Sequence, residues 1–522
     1  MTFNSEEIIK DIHAEFEKML DFVTGQEARS ATADHIERGL FKLLLSLGAK
    51  LLTLFFVMRS QACSRDPLPM ADGQVWAYHR DTARAYFSIF GKLTLRRPYF
   101  YKKGHGGQSP LDGELSLGDD CYSDLLREVS EYLGMYNVYD KTTDILERLL
   151  SLNLSTRALQ QTIADDAEEV EAFYAHKSPP APAEEAEILV VQADGKGVPM
   201  VLETPAESPV RLGKGEKHGR KKEAVVTTVY TIAAAPRTPQ EVVASFFSPQ
   251  KLPKSVSPRS KPQHKQIWAT LDGKETALAR LATQVVQRQG SHIRHKVALC
   301  DGCEALQSRL LSQFPDFTLV LDFIHGSEYL WDVVNSLLGE THEQRLEWMA
   351  QRTLQILAGE TAQVITEFRQ LAQETHTTSS QRTQLHKSAN YFDRNLPYMD
   401  YPTYLAQGWP IASGVIEGAC RHFVKDRCEL SGMRWTQVGA ENLLRLRAVA
   451  ENGDWDAYHR YRQQQRHSRL YGSSVSTQEP LEVQALDHTN LQPTHPADSK
   501  LPTAQAISLN RQTLYHELPL VV

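Results

Sequence analysis

The sequence contains few cysteines and no long, uninterrupted apolar run. Six cysteines among 522 residues do not form a disulfide framework, which favours a reduced, cytoplasmic protein. Residues 1–7 lack the basic start and cleavage site of a secretory signal, so none is expected. The most apolar run, residues 40–57, is interrupted by Lys42, Gly48 and Lys50. We therefore predict a helix buried against another helix or a second subunit, and no membrane span.

The chain also lacks an overall excess of positive charge. Its 57 Lys and Arg are outnumbered by 64 Asp and Glu, which gives a net charge of −7. Residues 211–265 are an exception, with 12 Lys and Arg against 3 Glu. A local basic patch matters more for DNA contact than total charge, so this segment is a candidate for phosphate contact, with a solvated loop as the alternative. Its candidate cations are Lys214, Lys217, Arg220, Lys221 and Lys222.

Hydrophobic periodicity and composition divide the chain into regions of different character. A chain of this length predicts several domains, and helical and strand periods alternate along it. The predicted regions are 1–85, helical; 86–177, a strand hairpin plus a helix-turn-helix; 178–340, the first part of a sheet core; 341–409, a helical insertion and loop; 410–470, helices that carry Glu417; and 471–522, a flexible tail.

Two helices separated by a short turn form the predicted DNA-binding part. The periodicity predicts one helix over residues 143–152 and a second directly after Ser155, whose side chain can cap it. Such a pair matches the helix-turn-helix pattern, in which the second helix enters the major groove. Arg157, Gln160 and Gln161 are then the candidate DNA contacts. An ordinary helical hairpin has the same pattern and is the alternative.

Three acidic residues predict a metal site. Asp194 follows the apolar run Ile188-Leu-Val-Val-Gln-Ala, and Asp301 follows Val297-Ala-Leu-Cys. We expect these aspartates side by side at the ends of adjacent strands, with Glu417 added from a packed helix. Mg²⁺ prefers carboxylate oxygens, and two such ions activate a nucleophile for phosphodiester cleavage. Taken singly, each Asp-Gly step indicates a β-turn and Glu417 a surface ion pair, so the prediction depends on the combination.

A second group consists of Asp322 and His325. The spacing Asp322-Phe-Ile-His325 would allow His325 to orient a metal-bound carboxylate or to steady a DNA strand. The alternative is a capping aspartate followed by a core histidine. Cys300-Asp-Gly-Cys303 has the spacing of half a zinc site, but no second cysteine pair lies near it in the sequence, so we interpret it as packing around Asp301.

Several of these blocks together resemble a bacterial insertion-sequence transposase of the DDE type. The closest resemblance is to the ISKra group, related to the Mutator-like superfamily, and it covers residues 86–449. The blocks are Val190-Val-Gln-Ala-Asp-Gly-Lys-Gly, Leu299-Cys-Asp-Gly, Leu321-Asp-Phe-Ile-His, Trp409-Pro-Ile-Ala-Ser-Gly, Gly414-Val-Ile-Glu-Gly and Leu430-Ser-Gly-Met-Arg-Trp.

The resemblance implies a multidomain fold of mixed α+β and α/β class. A helical N-terminal DNA-binding region would precede an RNase H-like mixed-sheet core, with an all-helical insertion before Glu417. Asp194, Asp301 and Glu417 are implied as the catalytic triad that binds two Mg²⁺ or Mn²⁺ ions. Asp322 and His325 match an accessory signature of the superfamily. Members often carry a zinc-like hairpin with cysteines, but the corresponding stretch here has none, so zinc is not expected.

The implied function is DNA transposition. The protein would bind the terminal inverted repeats of its element, cleave at the ends and join 3′-hydroxyls to target DNA, as a homodimer or higher oligomer on DNA. Arg421 and Lys425 follow Glu417 at steps of four, which share a helix face, and together with Arg427 they would contact phosphates near the active site. Trp435 would stack on a displaced base. Two alternatives are an RNase H-like nuclease or resolvase and a catalytically silent DNA-binding protein derived from a transposase.

Overall fold

The computed structural model describes residues 5–70, 73–201, 221–247 and 260–472, which belong to two compact units. Of these residues, unit 1 contains 5–70, 73–177, 199–201 and 425–472, and unit 2 contains 178–198, 221–247 and 260–424. The predicted DNA contacts Lys214, Lys217 and Arg220 and the predicted tail beyond residue 472 lie outside the described residues.

Unit 1 begins with two long helices, followed by an antiparallel sheet of order β1-β2-β3-β4 and further helices. In chain order its first elements are α1 (Ser5–Thr24), α2 (Ala33–Ala62), β1 (Leu68–Pro69), β2 (Val75–Ser88), β3 (Gly91–Lys102), β4 (Gly106–Gln108), α3 (Pro110–Glu114), α4 (Asp124–Tyr136), α5 (Tyr139–Leu150), α6 (Thr156–Ala167) and α7 (Val170–His176).

Unit 2 alternates strands and helices and then continues as helices. Its elements are β5 (Ile188–Pro199), β6 (Lys221–Ile232), α8 (Pro239–Phe247), β7 (Gln263–Thr270), α9 (Lys274–Arg288), β8 (His295–Cys300), α10 (Glu304–Gln313), β9 (Thr318–Leu321), α11 (Phe323–Leu338), α12 (Arg345–Leu357), α13 (Thr361–Leu371), α14 (Ser379–Asn395), α15 (Tyr401–Ala406) and α16 (Gly414–Gly418). A π-helix, Ala419–Lys425, follows, and unit 1 is completed by α17 (Asp426–Cys428), α18 (Gln437–Glu451) and α19 (Trp455–Tyr471).

The sheet of unit 2 has five strands in the order β7-β6-β5-β8-β9. Strand β7 runs antiparallel to β6, whereas β8 is parallel to β5 and β9 is parallel to β8. Side chains of β5 alternate between two apolar cores, with Ile188 and Val190 in one and Leu189 and Val191 in the other. The run is apolar throughout because helices cover both faces of the sheet. A mixed sheet within an α/β chain, as predicted, is confirmed.

Two details of the sheet are not apparent from the local sequence. Strand β5 continues past Asp194 to Pro199 as one element, although the sequence after Asp194 is no longer an apolar run. Strand β7 begins without an apolar pattern, since its first residues, Gln263-His-Lys-Gln, are polar and exposed or half-buried. They lie at the outer edge of the sheet, where burial does not require apolar side chains.

The predicted helix pair of unit 1 is present as α5 and α6. The Ala158 N–H donates to the Ser155 hydroxyl at 3.1 Å, so Ser155 caps α6 as expected. Arg157, Gln160 and Gln161 are all exposed on α6. Their contact with DNA stays a prediction.

Helix α2 packs on another helix, α1, but most of its apolar surface is not buried within the chain. Its most apolar 18-residue window has a mean hydropathy of 2.0, but only 6% of that window is buried within the chain. By length and composition alone α2 could cross a membrane, and it is the one helix among the described residues that passes this test. A single helix of this kind is weak evidence for a membrane location.

Candidate functional site

Three aspartates stand in one row at an edge of the unit 2 sheet. In the β5–β8 ladder Gln192 lies opposite Leu299, and in the β8–β9 ladder Cys300 lies opposite Leu321. Continuing both registers places Asp194, Asp301 and Asp322 at equivalent positions on three adjacent parallel strands, about 4.8 Å apart from one strand to the next. Asp194 and Asp301 therefore lie next to each other, as expected, and Asp322 lies next to Asp301 on the following strand.

Glu417, on the short helix α16, belongs to a hydrogen-bonded group with Asp322. The Ser413 hydroxyl lies 3.1 Å from Glu417 Oε1 and also contacts Asp322 Oδ2. His325 Nδ1 lies 2.9 Å from Asp322 Oδ2 and 3.7 Å from Glu417 Oε1. One donor atom from each of Asp322, His325 and Glu417 lies within 4.8 Å of the others. The sequence motif did not reveal the role of Ser413, which joins the two carboxylates.

Asp322 differs from the other carboxylates because it is fully buried and both of its carboxylate oxygens already have hydrogen-bond partners. Its Oδ1 accepts from the Ile324 N–H at 2.8 Å, which caps α11, and its Oδ2 faces His325 and Ser413. The interpretation of Asp322 as a capping aspartate is therefore confirmed, whereas the role of His325 beside a metal-bound carboxylate or a DNA strand stays a prediction. His325 keeps 32% of its side chain exposed and is not a core histidine. Asp322 is best placed to position neighbouring groups.

Asp194 is linked to the helical segment that carries Glu417. The Cys420 thiol donates to Asp194 Oδ2 at 3.3 Å, and the Gly195 N–H donates to Asp194 Oδ1 at 2.6 Å. Cys420 lies three residues after Glu417, so one helical segment contacts both Asp194 and Asp322. Asp194, Asp301 and Glu417 are each half-buried, which leaves part of each accessible.

Asp301 is followed by Gly302, which packs closely against an aromatic side chain. Asp301 Oδ1 accepts from the Cys303 N–H at 3.0 Å. A Cβ at Gly302 would lie 2.3 Å from the Tyr391 ring, so any larger residue would displace that ring. The backbone at Gly302 therefore lies close to an aromatic side chain.

The electrostatics of the site reflect closely spaced acidic groups. Burial, and then the charge of Asp322, raises the pKa of Glu417. The hydrogen bond to Asp322 raises the pKa of His325 to about 9, so His325 is an imidazolium at neutral pH. Burial raises the pKa of the Cys300 and Cys420 thiols, and the nearby aspartates raise it further. Both thiols are therefore neutral.

The donor set fits a hard divalent cation. Asp194, Asp301 and Glu417 offer accessible carboxylate oxygens, which Mg²⁺ and Mn²⁺ prefer. The neighbouring thiols, being protonated, do not supply the soft thiolate donors that zinc favours. Among the described residues, however, the donor atoms that lie within 4.8 Å of one another at this site belong to Asp322, His325 and Glu417, and neither Asp194 nor Asp301 joins that group.

Two of the predicted phosphate contacts lie on an unusual helix. Arg421 and Lys425 are exposed on the π-helix Ala419–Lys425. In a π-helix the hydrogen bonds run from i to i+5, so the predicted four-residue steps do not align these cations with Glu417 as an α-helix would. Lys221 and Lys222 begin β6 and are the members of the basic segment's candidate set that the structure describes.

Arg427 and Trp435 are buried, which corrects their predicted contact with DNA. Arg427 is 1% exposed, and its Nε donates to the Gly134 carbonyl at 3.0 Å. Its guanidinium lies 5.0 Å from the Tyr139 ring centroid and 5.1 Å from that of Trp435. The Trp435 indole N–H donates to the Cys428 carbonyl at 3.0 Å. Both side chains hold unit 1 together in this conformation and present no surface to a strand.

A second acidic cluster lies inside unit 1, and no sequence motif predicted it. Glu131, Asp166 and His459 come together from α4, α6 and α19, all three buried. Within the described residues neither carboxylate oxygen of Glu131 accepts a hydrogen bond, although Arg127 Nε and His459 Nε2 lie 4.0 Å and 3.9 Å from them. Asp166 already accepts hydrogen bonds from Arg127 and Arg462. These two guanidiniums occupy the place of a cation, so the cluster is an internal ion network and a poor metal site.

Replacing Glu131 by glutamine is expected to flatten the pH dependence of stability. Burial, and then the charge of Asp166, raises the pKa of Glu131 well above its ordinary value. The folded state therefore holds a proton that the unfolded state releases, and stability present below about pH 4.5 is lost as the pH rises. Urea unfolding from pH 5 to 8 should show this loss in the wild type and little of it in Glu131→Gln. Exposed Glu168→Gln is the control; equal slopes for all three proteins would refute the assignment.

Comparison with known proteins does not assign the chain to a family. No protein-family profile matches it, and no curated protein is similar to it at a significant level. The function must therefore be argued from the site.

Proposed function

We propose that the protein is a DNA transposase of the DDE type. It would bind the terminal inverted repeats of an insertion sequence, cleave at their ends and transfer the strands to target DNA. The observation that carries the proposal is the row of Asp194 and Asp301 on adjacent parallel strands, with Glu417 supplied by a helical segment that contacts both Asp194 and Asp322. Accessible carboxylates collected at one sheet edge suit metal-assisted phosphodiester chemistry.

The fold of unit 2 supports an RNase H-like core. The first strand, β5, is central; β6 and β7 follow on one side, and β8 and β9 lie parallel on the other. Two of the proposed ligands come from β5 and from the end of β8, and the third from a later helix. Helices α12, α13 and α14 lie between β9 and α16 without an intervening strand, as a helical insertion before Glu417 requires.

Each residue of the site has a distinct proposed task. Asp194, Asp301 and Glu417 would hold Mg²⁺ or Mn²⁺, two ions in the proposal, which would lower the pKa of bound water and stabilise the leaving oxygen. Asp322 and Ser413 position Glu417 through their hydrogen bonds. His325 carries a positive charge beside these carboxylates. Since its Nδ1 faces Asp322, Nε2 is the ring nitrogen left to bind a phosphate oxygen.

DNA binding is proposed for two described surfaces. The exposed face of α6, with Arg157, Gln160 and Gln161, would read the element end. Arg421 and Lys425 would contact phosphates near the cleavage site. Two ends must be brought together before strand transfer, so the active form on DNA is proposed to be a homodimer or a higher oligomer.

The test uses the full-length protein and a labelled duplex that carries the flanking element end. We expect nicking at the element boundary with Mg²⁺ or Mn²⁺ and none with EDTA, followed by joining of the 3′-hydroxyl to a second duplex. Nicking without joining would support a nuclease or resolvase instead. Tight, end-specific binding without nicking in either metal would support a catalytically silent DNA-binding protein.

Replacing Ser413 by alanine is expected to lower cleavage by about 10- to 100-fold. The change removes the hydroxyl between Glu417 and Asp322 without removing a proposed ligand. The Mg²⁺ concentration for half-maximal cleavage should rise, because Glu417 loses its orientation, while affinity for end DNA should not change. Ser327→Ala is the matched control, since that hydroxyl donates only to the Ile324 carbonyl of its own helix. Unchanged metal dependence in Ser413→Ala would exclude the positioning role.

A further inference from the structure

Helix α2 has three faces, and two of them are covered by unit 1. Along one face, the Lys50 ammonium lies 2.8 Å from Glu15 Oε2 of α1, and Gly39 packs so closely on Phe22 that a Cβ would lie 2.1 Å from its ring. On the second face, Phe56 is buried in an apolar cluster with Leu95 of β3. These contacts fix the rotation of α2 about its axis.

The third face is apolar and exposed. Phe41, Leu44, Leu51, Phe55 and Met58 keep 44%, 52%, 48%, 45% and 56% of their surface exposed. Read from the sequence, these five residues follow one another at steps of 3, 7, 4 and 3. Gly48, which divides the step of seven, packs on Phe90 of the β2–β3 turn, where a Cβ would lie 2.6 Å from the ring. Apolar residues at alternating steps of three and four form the seam by which one helix packs on another in a coiled coil. We name the five exposed positions the α2 seam.

The α2 seam does not suit insertion into a lipid bilayer. Phe56 and Cys63 of α2 belong to the core beneath the β2–β3 hairpin, so insertion into lipid would unfold that core. The Lys50–Glu15 ion pair lies midway along the apolar window, and charges at that depth are costly in hydrocarbon. The seam is one face of a helix already built into unit 1, which suits a protein partner.

The area available matches a second copy of the chain. Helix α2 has 30 residues, so it is about 45 Å long and about 10 Å wide, which provides about 450 Å² along one face. Helix α1 runs beside it and also exposes large apolar residues, Ile9, Phe16, Leu20 and Val23. The two helices together approach the roughly 800 Å² per partner of a standard interface. A monomer seldom exposes so large an apolar surface.

We propose that the α2 seam is a homodimer interface, in which α2 packs against α2 of a second copy. The shared sequence makes the two surfaces self-complementary, as a two-fold interface requires. Within residues 41–58 the only ionisable side chains are Lys42 and Lys50, and Lys50 is paired with Glu15, so charge repulsion across the seam is small. The inference concerns the free protein and does not depend on the proposed catalytic function.

The test measures the mass of the full-length protein in solution without DNA, by sedimentation and light scattering over the micromolar range. We expect a dimer for the wild type and a monomer for the double variant Leu44→Glu/Leu51→Glu. Because both positions are about half exposed, the variant should keep the far-UV circular dichroism and unfolding midpoint of the wild type. The control is Val286→Glu/Leu346→Glu, which places the same charges at residues that are 70% and 61% exposed on unit 2 and should remain dimeric.

Three results would overturn the proposal. One is a wild type that is monomeric throughout the range, and another is a double variant that dimerises as the wild type does. The third is a monomeric wild type that sediments with phosphatidylcholine and phosphatidylglycerol vesicles while Leu44→Glu/Leu51→Glu does not, which would assign the seam to a lipid surface. If the double variant loses its fold, the single variant Leu44→Gln should still weaken the dimer by at least about tenfold, and an unchanged dissociation constant would likewise refute the interface.

Discussion

Asp301→Asn is expected to abolish metal-dependent strand cleavage, with a loss of about 10³-fold or more. Asparagine keeps the shape of the side chain and can still accept from the Cys303 N–H, as Asp301 Oδ1 does. It removes the negative charge that a divalent cation needs at the end of β8. The loss should therefore appear in cleavage and in Mn²⁺ binding, while the fold and the affinity for end DNA are retained. Gel assays of nicking and titration with Mn²⁺ followed by electron paramagnetic resonance measure these quantities.

Asp316→Asn is the matched control for this result. Asp316 precedes β9 at the opposite edge of the same sheet, where it is exposed and paired with Lys296 at 2.5 Å. Its replacement should leave nicking unchanged. Asp322→Asn offers a further comparison, since Asp322 is buried and already hydrogen-bonded. If Asp322→Asn loses Mn²⁺ binding but Asp301→Asn retains it and cleaves DNA, the ion is held by Asp322, His325 and Glu417 and the proposed triad is wrong.

The positions of the strand aspartates could be predicted because their signal is local. A short apolar run that ends in Asp-Gly indicates both a buried strand and the polar side chain at its end. Parallel pairing of two such strands then places their aspartates side by side. The link between Ser413 and Asp322 could not be predicted in this way. It joins residues 91 positions apart and depends on how α16 packs, which leaves no periodic trace in the sequence.

Helix α2 shows a different limit of sequence reasoning. Its composition predicts burial against another helix or a second subunit. Helix α1 covers one side of α2, but only 6% of the apolar window is buried within the chain, and burial against a second subunit stays a prediction. An apolar composition indicates that a surface is excluded from water, but it does not identify the partner that covers the surface. The same limit applies to Arg427, whose positive charge suggested a phosphate contact although its aromatic neighbour Tyr139 comes from a distant part of the sequence. Charge alone does not distinguish a solvated cation from one enclosed by rings.

Arg427→Ala is expected to destabilise unit 1 by about 2–4 kcal/mol. The change leaves a void among the Tyr139 and Trp435 rings and leaves the Gly134 carbonyl without its donor. Burial lowers the pKa of Arg427, and among the described residues no carboxylate forms an ion pair with it. Its stabilising contribution must therefore come from the two rings, the backbone hydrogen bond and the contact of its Nη1 with Met433 Sδ at 3.4 Å. Urea unfolding followed by tryptophan fluorescence measures the loss.

The variant Arg421→Ala is the comparison that distinguishes the structural role of Arg427 from a role in DNA binding. Arg421 is exposed on the π-helix, so its replacement should leave the unfolding midpoint nearly unchanged but weaken DNA binding and lower the salt dependence by about one counterion. Arg427→Lys should behave like Arg427→Ala in part, because an ammonium keeps the charge but cannot stack as a planar guanidinium does. A different pattern, in which Arg427→Ala unfolds like the wild type and binds DNA weakly, would mean that Arg427 leaves its aromatic pocket to contact a phosphate. The packing of Arg427 against two rings and a backbone carbonyl argues for the first pattern, since extracting it would sacrifice all three contacts at once.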